Sequence, residues 1–380
     1  MDTIEVLDGG FFTTVQDLGR YGYQRYGVPV AGALDQFALR VGNILVGNQE
    51  GDAGLEITLV GPRLRFLADT VIAITGADLD PRLDDAPVAM WQAIATPQGG
   101  TLSFGGVQDG MRAYLAVAGG VDVPQVLGSR STYTRSRLGG LEGRALEPGD
   151  RLAAFGEESA TQLEGRKLPR EQVPAYGHSH ALRVVLGPQD DAFSQEGLQT
   201  FLSAAYTVTP QSDRIGYRHE GPKIQHKGGA DIVSDGIPFG AVQVTGDGMP
   251  ILLLADRGTT GGYTKIATVI SVDLAAVAQS SPGDTMSFQP VTVEAAHQAL
   301  RQQEDAIQQI RNTPPTVFAR RRFRATVNGE AHDVFSAFEE AIPRPPGPGT
   351  EATPPRRVVR ATVEGETHTF EVEVRGFEGR

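Results

Sequence analysis

Short apolar runs, interrupted at close intervals by turn-forming residues, dominate the pattern of the chain. In the first half these runs include residues 3–7, 64–66, 70–75 and 113–118, each bounded by Gly, Pro, Asp or Asn. A second block of the same kind extends from Leu182 to Phe288. This spacing is typical of a β-barrel or sandwich rather than of β-α-β units. The pattern therefore predicts a mainly β fold with short helices.

Apolar residues recur at helical spacing in a few places. In residues 35–46 they are Phe37, Ala38, Val41 and Leu45, and Asp35 precedes them as the predicted N-cap. A further helical segment is predicted near residues 190–204, and residues 273–279 are predicted to form a short turn or helix. A terminal helix is predicted over residues 294–311, which are rich in Ala, Gln and Glu.

Composition shifts divide the chain into units. The polar segment 156–180 mixes Gly, Pro and charged residues and predicts a linker between a unit of residues 1–155 and a second unit of residues 181–290. In this division, the unit that contains the predicted terminal helix is residues 291–313, and residues 314–380 are a C-terminal extension. In that extension FRATVNGEAHDV is echoed 36 residues later by VRATVEGETHTF. Each copy predicts a short hairpin, with turns at Asn328-Gly329 and Glu364-Gly365, and a Pro-rich linker separates the two copies.

Composition and charge narrow the classes of function. The 380 residues are ample for a packed core in two domains or more, and the formal net charge of −12 disfavours nucleic acid and anionic lipid as partners. The absence of cysteine excludes disulfides, thiolate catalysis and cysteine-ligated metals. We find no signal-peptide pattern and no apolar run long enough to span a bilayer. The sequence predicts a cytoplasmic protein that binds neither membrane nor nucleic acid.

Residues 13–43 form the first of three Gly-rich blocks with candidate site residues. The block contains Asp17, Arg20, Asp35 and Asn43. An arginine can bind a carboxylate bidentately, and backbone N–H groups exposed at glycines can hold an oxyanion. The alternative interpretation is a solvated loop with an aspartate N-cap and an internal Asp–Arg pair.

The second block, residues 208–222, places Asp213 beside Arg214, with His219 shortly after. The pair is either part of a binding site or a turn with an ion pair. A lone histidine is more often a structural residue than a functional one.

The third block, residues 254–267, contains Thr259, Thr260, Gly261 and Gly262 between Asp256 and Lys265. Hydroxyl groups and free backbone donors in a loop can form a cradle for an anion or a carboxamide. A β-turn with side-chain-to-backbone hydrogen bonds explains the same residues equally well.

Several common chemistries lack their motifs. The chain has neither a phosphate-binding loop nor a dinucleotide fingerprint, no GxSxG elbow, and no HExxH or His–carboxylate cluster. None of the five methionines adjoins a lysine in the context of a biotin attachment site. The sequence therefore predicts no metal site and no covalent biotin on this chain.

Motifs spread along the chain resemble the biotin-dependent carboxyltransferase-like family, which includes the C component of 5-oxoprolinase and the second subunit of allophanate hydrolase. The resemblance runs from Ile4 to Phe288. The segments that carry it, in family order, are TVQDLGRYGYQRYGVPVAGALDQFALRVGN, GMRAYLAVAGGVDVPQVLGSRSTYTRSRLGG, TPQSDRIGYRHEGP and PILLLADRGTTGGYTKIATVISVDLAA. It implies two tandem cyclophilin-like β-barrel subdomains, to which this chain adds its small C-terminal extension.

The resemblance also implies a function. Stand-alone members are similar to the C component of a three-part 5-oxoprolinase, which opens the lactam of 5-oxo-L-proline to L-glutamate at the expense of ATP. The implied partners are a kinase-inhibitor-like B component of the allophanate hydrolase subunit 1 family and an A component of the lactam-utilisation family, with ATP bound jointly with them. Two alternatives stay open: a carboxyltransferase component of a biotin-dependent urea or amide carboxylase, and a non-catalytic regulatory protein that binds a kinase-inhibitor-like partner.

For that chemistry the resemblance implies roles for the candidate residues without ranking them. Asp17, Asp35 or Asp213 would orient an arginine or act as a base. Arg20 or Arg214 would hold the substrate carboxylate. The rest of the predicted substrate-binding set comprises Asn43, Thr259, Thr260, Gly261, Gly262 and Tyr263. Family members often carry Gln at position 258 and Pro at position 264, where this chain has Gly and Thr, and this departure puts the substrate in doubt.

Overall fold

The computed structural model describes residues 2–155 and 165–312 in full, together with the backbone of four strands between Phe318 and Glu373. The protein is mainly β, as predicted. The helices are α1 (Gln36–Leu45), α2 (Gln195–Ser203), α3 (Leu274–Gln279) and α4 (Val293–Asn312). The strands are β1 (Asp2–Asp8), β2 (Phe12–Gln16), β3 (Gly54–Thr58), β4 (Arg63–Phe66), β5 (Thr70–Asp78), β6 (Pro81–Leu83), β7 (Ala86–Pro87), β8 (Ala93–Thr96), β9 (Thr101–Phe104), β10 (Asp109–Val117), β11 (Val121–Asp122), β12 (Arg151–Ala154), β13 (Ser179–Leu186), β14 (Ala205–Val208), β15 (Gly216–Glu220), β16 (Asp231–Gly236), β17 (Ala241–Val244), β18 (Pro250–Leu253), β19 (Thr260–Tyr263), β20 (Lys265–Val269), β21 (Thr285–Pro290), β22 (Phe318–Val327), β23 (Glu330–Glu339), β24 (Arg356–Val363) and β25 (Glu366–Glu373).

The N-terminal unit consists of two β-sheets and one covering helix. A seven-stranded sheet has the order β11-β12-β1-β4-β9-β6-β7, and a five-stranded sheet has the order β2-β3-β10-β5-β8. Side chains of β10 alternate between two cores: Ala113 and Leu115 face the space between the sheets, whereas Tyr114 and Ala116 face α1. Because both faces of this strand are covered, its sequence is almost continuously apolar rather than alternating.

Helix α1 begins where the sequence predicts. The carboxylate of Asp35 accepts a hydrogen bond from the backbone N–H of Ala38 at 2.9 Å, which confirms the predicted N-cap. The apolar face of the helix, including Leu39 and Val41, is fully buried against the five-stranded sheet. The predicted segments near residues 190–204, 273–279 and 294–311 are likewise confirmed as helical by α2, α3 and α4.

The second unit is a closed barrel of seven strands in the order β13-β20-β17-β18-β15-β14-β21. Its first and last strands, β13 and β21, close it by parallel pairing, with Leu182 opposite Phe288. Helix α2 covers one end of the barrel, where the rings of Phe201 and Phe288 stack with their centroids 4.5 Å apart.

Helix α4 joins the terminal part of the described chain to the N-terminal unit. Its buried residues Ile307 and Ile310 belong to the same apolar core as α1. The Arg40 guanidinium on α1 donates to Glu304 on α4 at 2.6 Å. The helix therefore packs on α1, although the closed barrel precedes it in sequence.

Part of the predicted linker 156–180 packs on the N-terminal unit. Residues 156–164 lie outside the described part of the chain. The backbone N–H of Leu168 donates to the carbonyl of Trp91 at 2.8 Å, and Arg166 donates to the carbonyl of Ile44 at 2.8 Å. At least residues 166–168 therefore extend the N-terminal unit.

The C-terminal extension contains one four-stranded antiparallel sheet in the order β22-β23-β24-β25. In the sheet register, Val327 lies opposite Glu330 and Val363 lies opposite Glu366. The two hairpins are therefore at the positions that the repeat predicts. Their turn residues, 328–329 and 364–365, lie outside the described residues.

Candidate functional site

Glu56 is the centre of a buried polar network at the junction of the two units. It lies on β3 in an otherwise apolar strand and is 1% exposed. Its carboxylate accepts hydrogen bonds from the Leu34 backbone N–H at 2.9 Å and from the Tyr114 hydroxyl at 2.8 Å, and it also pairs with Arg214. Burial alone would raise the pKa of Glu56, but the charges of Arg214 and Arg112, together with the hydrogen bonds from Leu34 and Tyr114, hold the pKa below the ordinary value.

Arg214, from the loop before β15, ties the barrel to the N-terminal unit. Its guanidinium donates from Nε and Nη2 to the two oxygens of Asp256, each at 3.0 Å, and from Nη2 to the carbonyl of Gly32 at 2.7 Å. Burial would lower the pKa of this arginine, but the carboxylates of Asp256 and Glu56 raise it above its ordinary value. Arg214 thus connects segments that are distant in sequence through ion pairs and hydrogen bonds.

Gln279, at the end of α3, carries the network further across the junction. Its Oε1 accepts from the backbone N–H groups of Met111 and Arg112 at 3.0 and 2.9 Å. Its Nε2 donates to Asp35 at 2.9 Å. The Asp35 carboxylate is fully buried, and this burial raises its pKa above the ordinary value. Asp35 therefore acts both as a helix cap and as a contact between the units.

Asp17 and Arg20, from the first block, lie together at one side of this junction. The Asp17 carboxylate accepts from the Gly19 and Arg130 backbone N–H groups at 2.8 and 2.6 Å and from the Ser129 hydroxyl at 2.7 Å. Arg20 is 1% exposed and donates to the carbonyl of Ser131 at 2.5 Å, while its Nη1 has no hydrogen-bond partner among the described residues. The two side chains organise the loop of residues 126–132.

Asn43 and Asp213 have local partners. Asn43 is buried on α1, where it donates to the carbonyl of Asp52 at 2.7 Å and accepts from Asn48 at 3.0 Å. Asp213 is exposed and accepts from the Ile215 backbone N–H at 2.8 Å, as in an aspartate-initiated turn. Asp213 is therefore not the ion-pair partner of Arg214, which pairs with Asp256 and Glu56.

The third block divides into two parts. Ala255 and Asp256 meet the first block, since the backbone N–H of Ala31 donates to the carbonyl of Ala255 at 3.1 Å. Of the remaining predicted residues, Thr260, Gly261, Gly262 and Tyr263 form β19, which pairs with β16 in a small two-stranded sheet on the barrel, and Thr259 directly precedes β19. Behind them the buried Lys265 ammonium pairs with Asp235 at 3.0 Å. The structure thus brings Asp17, Arg20 and Arg214 to one junction and places the Thr-Gly segment on the neighbouring hairpin.

Two concave surfaces flank the junction. The first, which we call the groove, has a volume of about 310 Å³ and is lined by Phe11, Phe12, Thr58, Met111, Arg112, Thr134, Arg135, Ser212, Asp213, Arg214, Ile215 and Asp256. The second, which we call the cleft, has a volume of about 280 Å³ and lies between α1, α3 and α4; its lining residues are Tyr21, Leu34, Gln36, Phe37, Arg40, Phe239, Ser271, Val272, Leu274, Ala275, Leu300, Gln303 and Glu304. Both are large enough for a small metabolite.

The sequence-based prediction missed Glu56, Arg112 and Gln279. A signal for the first two was present: each is a charged residue inside an apolar strand, in LEITLV and MRAYLAVA. Charged residues are rarely buried unless they are paired. Gln279 carries no such signal, because glutamine at the end of a short helix is ordinary.

Two further properties concern metals and membranes. Within residues 2–155 and 165–312, no group of three or more His, Asp or Glu side chains is arranged to hold a metal ion. None of the described helices combines the length and the apolar character needed to span a bilayer.

Comparison with known proteins gives a consistent family match. Residues 26–290 match the family model described as carboxyltransferase domain, subdomain A and B. The chain is 38% identical over 309 residues to the C component of the 5-oxoprolinase of Haemophilus influenzae, a match that covers 81% of this chain and 97% of that protein.

Longer proteins contain a similar segment. The chain is 34% identical over 326 residues to urea amidolyase of Saccharomyces cerevisiae, which is 82% of this chain but 18% of that protein. Among solved structures, the urea carboxylase of Kluyveromyces lactis superposes with a TM-score of 0.77 at 31% identity, covering 94% of this chain and 33% of that one.

Proposed function

The chain belongs to the family of carboxyltransferase domains with subdomains A and B, and from this premise we propose that it is the C component of an ATP-dependent 5-oxoprolinase. In this role it contributes to the hydrolysis of 5-oxo-L-proline to L-glutamate within a complex. The partners we propose are the kinase-inhibitor-like B component and the lactam-utilisation A component.

The observation that carries the proposal is the extent of the match to the Haemophilus influenzae protein. The similarity covers 97% of that 5-oxoprolinase component, whereas it covers 18% of the yeast urea amidolyase. A similarity that takes in nearly a whole polypeptide supports a shared role more strongly than one limited to a single segment of a large multidomain enzyme.

The groove supports this function through its chemistry. 5-Oxoproline carries a carboxylate and a lactam, and it is small enough for a volume of about 310 Å³. At the rim, the exposed Arg135 guanidinium lies 3.7 Å from the Asp213 carboxylate and is available to a ligand carboxylate. On the inner side, the Nε–H of Arg112 has no hydrogen-bond acceptor among the described residues. The nearest oxygen of the Glu56 carboxylate lies 3.9 Å from this nitrogen. We propose that Arg135 binds the substrate carboxylate and that Arg112 and Arg214 polarise the lactam end.

ATP is proposed to bind together with the partner proteins. The chain has no glycine-rich loop followed by Lys-Ser or Lys-Thr, the sequence that cradles nucleotide phosphates in many enzymes. The cytoplasm is the proposed location of the complex.

The similarity to urea amidolyase favours a second candidate function. In that case the chain would be a carboxyltransferase component that receives a carboxyl group from a biotin carrier on another polypeptide. A requirement for a biotinylated partner distinguishes this function from the first.

The test is co-expression of the chain with its neighbouring reading frames, followed by measurement of glutamate released from 5-oxoproline with and without ATP. We expect ATP-dependent release by the complex and little or none by the chain alone.

The Arg135→Gln variant should lower release at least tenfold at limiting substrate, since a charged hydrogen bond contributes about 1.5–3 kcal/mol. The matched control is Arg151→Gln, which removes an arginine of similar exposure whose partners are Asp2 and Glu5. Carboxylation of urea or another amide that depends on a biotinylated protein, without release of glutamate from 5-oxoproline, would instead establish the second function.

A further inference from the structure

Arg257 is a buried cation without a carboxylate partner in the part of the chain whose side chains the structure describes. It follows β18, and it is 7% exposed. Its Nε donates to the carbonyl of Ile237 at 2.9 Å and its Nη1 to the carbonyl of Leu254 at 3.1 Å. Burial lowers the pKa of this guanidinium to about 10.

Among the residues whose side chains the structure describes, three other arginines are buried, and they differ from Arg257 in their surroundings. Arg214 is bound by two carboxylates, Arg112 lies 3.9 Å from Glu56, and the charge of Asp17 acts on Arg20. A buried charge is costly unless an opposite charge accompanies it. An arginine that keeps its charge without such a partner in the protein is suited to receive one from a ligand.

The guanidinium of Arg257 lies behind the wall of the cleft. Its Cζ is 5.4 Å from the ring centroid of Phe239, and the hydroxyl of Tyr21 is near enough to act on its charge. Both aromatic residues line the cleft. The preceding residue, Asp256, lines the groove instead. Asp256 thus lines the groove, whereas Arg257 lies next to two residues that line the cleft without lining it itself.

The cleft itself is otherwise electrically balanced. Its charged lining residues, Arg40 and Glu304, are joined by a hydrogen bond of 2.6 Å. Leu34, Phe37 and Leu274 supply apolar walls. The described residues around the cleft thus leave one uncompensated positive charge beside a space of about 280 Å³ with a mixed polar and apolar lining.

We propose that the cleft is a second ligand site, separate from the groove, in which Arg257 recognises a small oxyanion, either a carboxylate on an apolar body or a phosphate group. The planar guanidinium can bind either group through two parallel N–H donors. The anion would enter between Tyr21 and Phe239, both of which present aromatic surface to the apolar part of the ligand. This site does not depend on the identity of the substrate in the groove.

The test is isothermal titration of the full chain with three probes: benzoate, its neutral analogue benzamide, and inorganic phosphate. We expect the wild-type chain to bind benzoate, phosphate or both, and to bind benzamide at least tenfold more weakly than benzoate if benzoate binds. Arg257→Gln should weaken the anion at least tenfold, and Arg257→Lys should give an intermediate affinity. The matched control is Arg166→Gln, because Arg166 also donates to backbone carbonyls but lies outside the cleft. Binding of benzoate alone would identify a carboxylate site, and binding of phosphate alone a phosphate site.

Three results would overturn the proposal: no binding of either anion, equal anion binding by wild type and Arg257→Gln, or benzamide binding as tight as that of benzoate. The proposal stays testable if Arg257→Gln fails to fold. Wild-type crystals soaked with the anion that binds should then show it on the Arg257 guanidinium, and an anion located elsewhere would refute the assignment. Neither measurement uses 5-oxoproline, so their failure is distinct from failure of the proposed enzymatic function.

Discussion

At the scale of single residues, the Arg214 side chain determines how much the junction between the two units contributes to stability. It is bound by the carboxylates of Asp256 and Glu56 and by the carbonyl of Gly32. Replacing a buried ion pair as a whole is often harmless, whereas removing one partner leaves an uncompensated buried charge. Loss of this one arginine would leave the buried Asp256 carboxylate without the cation that pairs with it and Glu56 with Arg112 alone, 3.9 Å away.

We therefore predict that Arg214→Gln lowers the free energy of unfolding by about 3–5 kcal/mol. Urea denaturation at neutral pH measures this change. Arg135→Gln is the control, because Arg135 lines the same groove but is exposed, and its loss should change the free energy by no more than about 0.5 kcal/mol. Equal effects of the two substitutions would contradict the role assigned to the buried network.

His219 gives the barrel a predictable response to acid. It is buried on β15, next to the Met286 sulfur at 3.2 Å, and burial lowers its pKa from 6.5 to about 4. The unfolded chain therefore binds a proton near pH 6.5, whereas the folded chain resists protonation until about pH 4. Stability is fully present above pH 6.5 and is lost as the pH falls through 4.

The expected loss from this residue is roughly 3 kcal/mol over that interval. His219→Leu should flatten the acid limb of a plot of unfolding free energy against pH by that amount. The matched control is His297→Leu, which removes an exposed histidine of α4, away from the barrel core. An unaltered acid limb in His219→Leu would show that other groups control acid unfolding.

The candidate site shows why residue-level prediction has limits. Asp213 and Arg214 are neighbours in sequence, and their adjacency suggests an ion pair. In the structure the Asp213 carboxylate caps its own turn, and the partners of Arg214 come from positions 42 and 158 residues away. Such pairing depends on how two β units dock, and no local pattern contains that information.

At the scale of elements, apolar patterning and composition predicted the helical segments and the strands β1, β4, β5 and β10. Helix α1 and its cap follow directly from the spacing of Phe37, Ala38 and Val41 after Asp35. Strand β10 was predicted as an apolar run. The sequence could not predict that the two faces of β10 belong to different cores. A continuously apolar strand does not show which layer covers each of its faces. The arrangement of the N-terminal strands in two separate sheets was unpredictable for the same reason.

Helix α4 is the element whose packing most needs a test, because it lies beyond the family match, which ends at residue 290. Ile307 is fully buried in the core shared with α1. We predict that Ile307→Ala costs about 2–5 kcal/mol of unfolding free energy, since it leaves a cavity that the core cannot fill. Val293→Ala, at a 47% exposed position of the same helix, should cost no more than about 0.5 kcal/mol. A small effect at both positions, measured by urea denaturation, would mean that the helix is dispensable.

At the scale of the whole molecule, the fold consists of two β units held together by a polar junction and by α4. Arg214 and Gln279 connect the barrel to the N-terminal unit, and α4 returns from the barrel to pack on α1. The groove and the cleft exist only because these two units meet. Binding at either surface should therefore depend on the integrity of both units.

The C-terminal extension is the part of the molecule that this arrangement does not require. Its strands β22 to β25 pair with one another in a sheet of their own, and the helix that completes the core with α1 ends at Asn312. We predict that a chain ending at Thr313 has a Tm within about 2 °C of the full chain, a shift that corresponds to roughly 1.5 kcal/mol for a protein of 380 residues. A chain ending at Thr292 lacks Ile307, Ile310 and Glu304, and it should lose several kcal/mol of unfolding free energy or fail to fold.

Differential scanning calorimetry of the three chains measures both effects. A large fall in Tm for the chain ending at Thr313 would show that the extension stabilises the two units, and unchanged Tm values for both truncated chains would show that α4 does not. The comparison therefore locates the C-terminal end of the folded unit between residues 292 and 313.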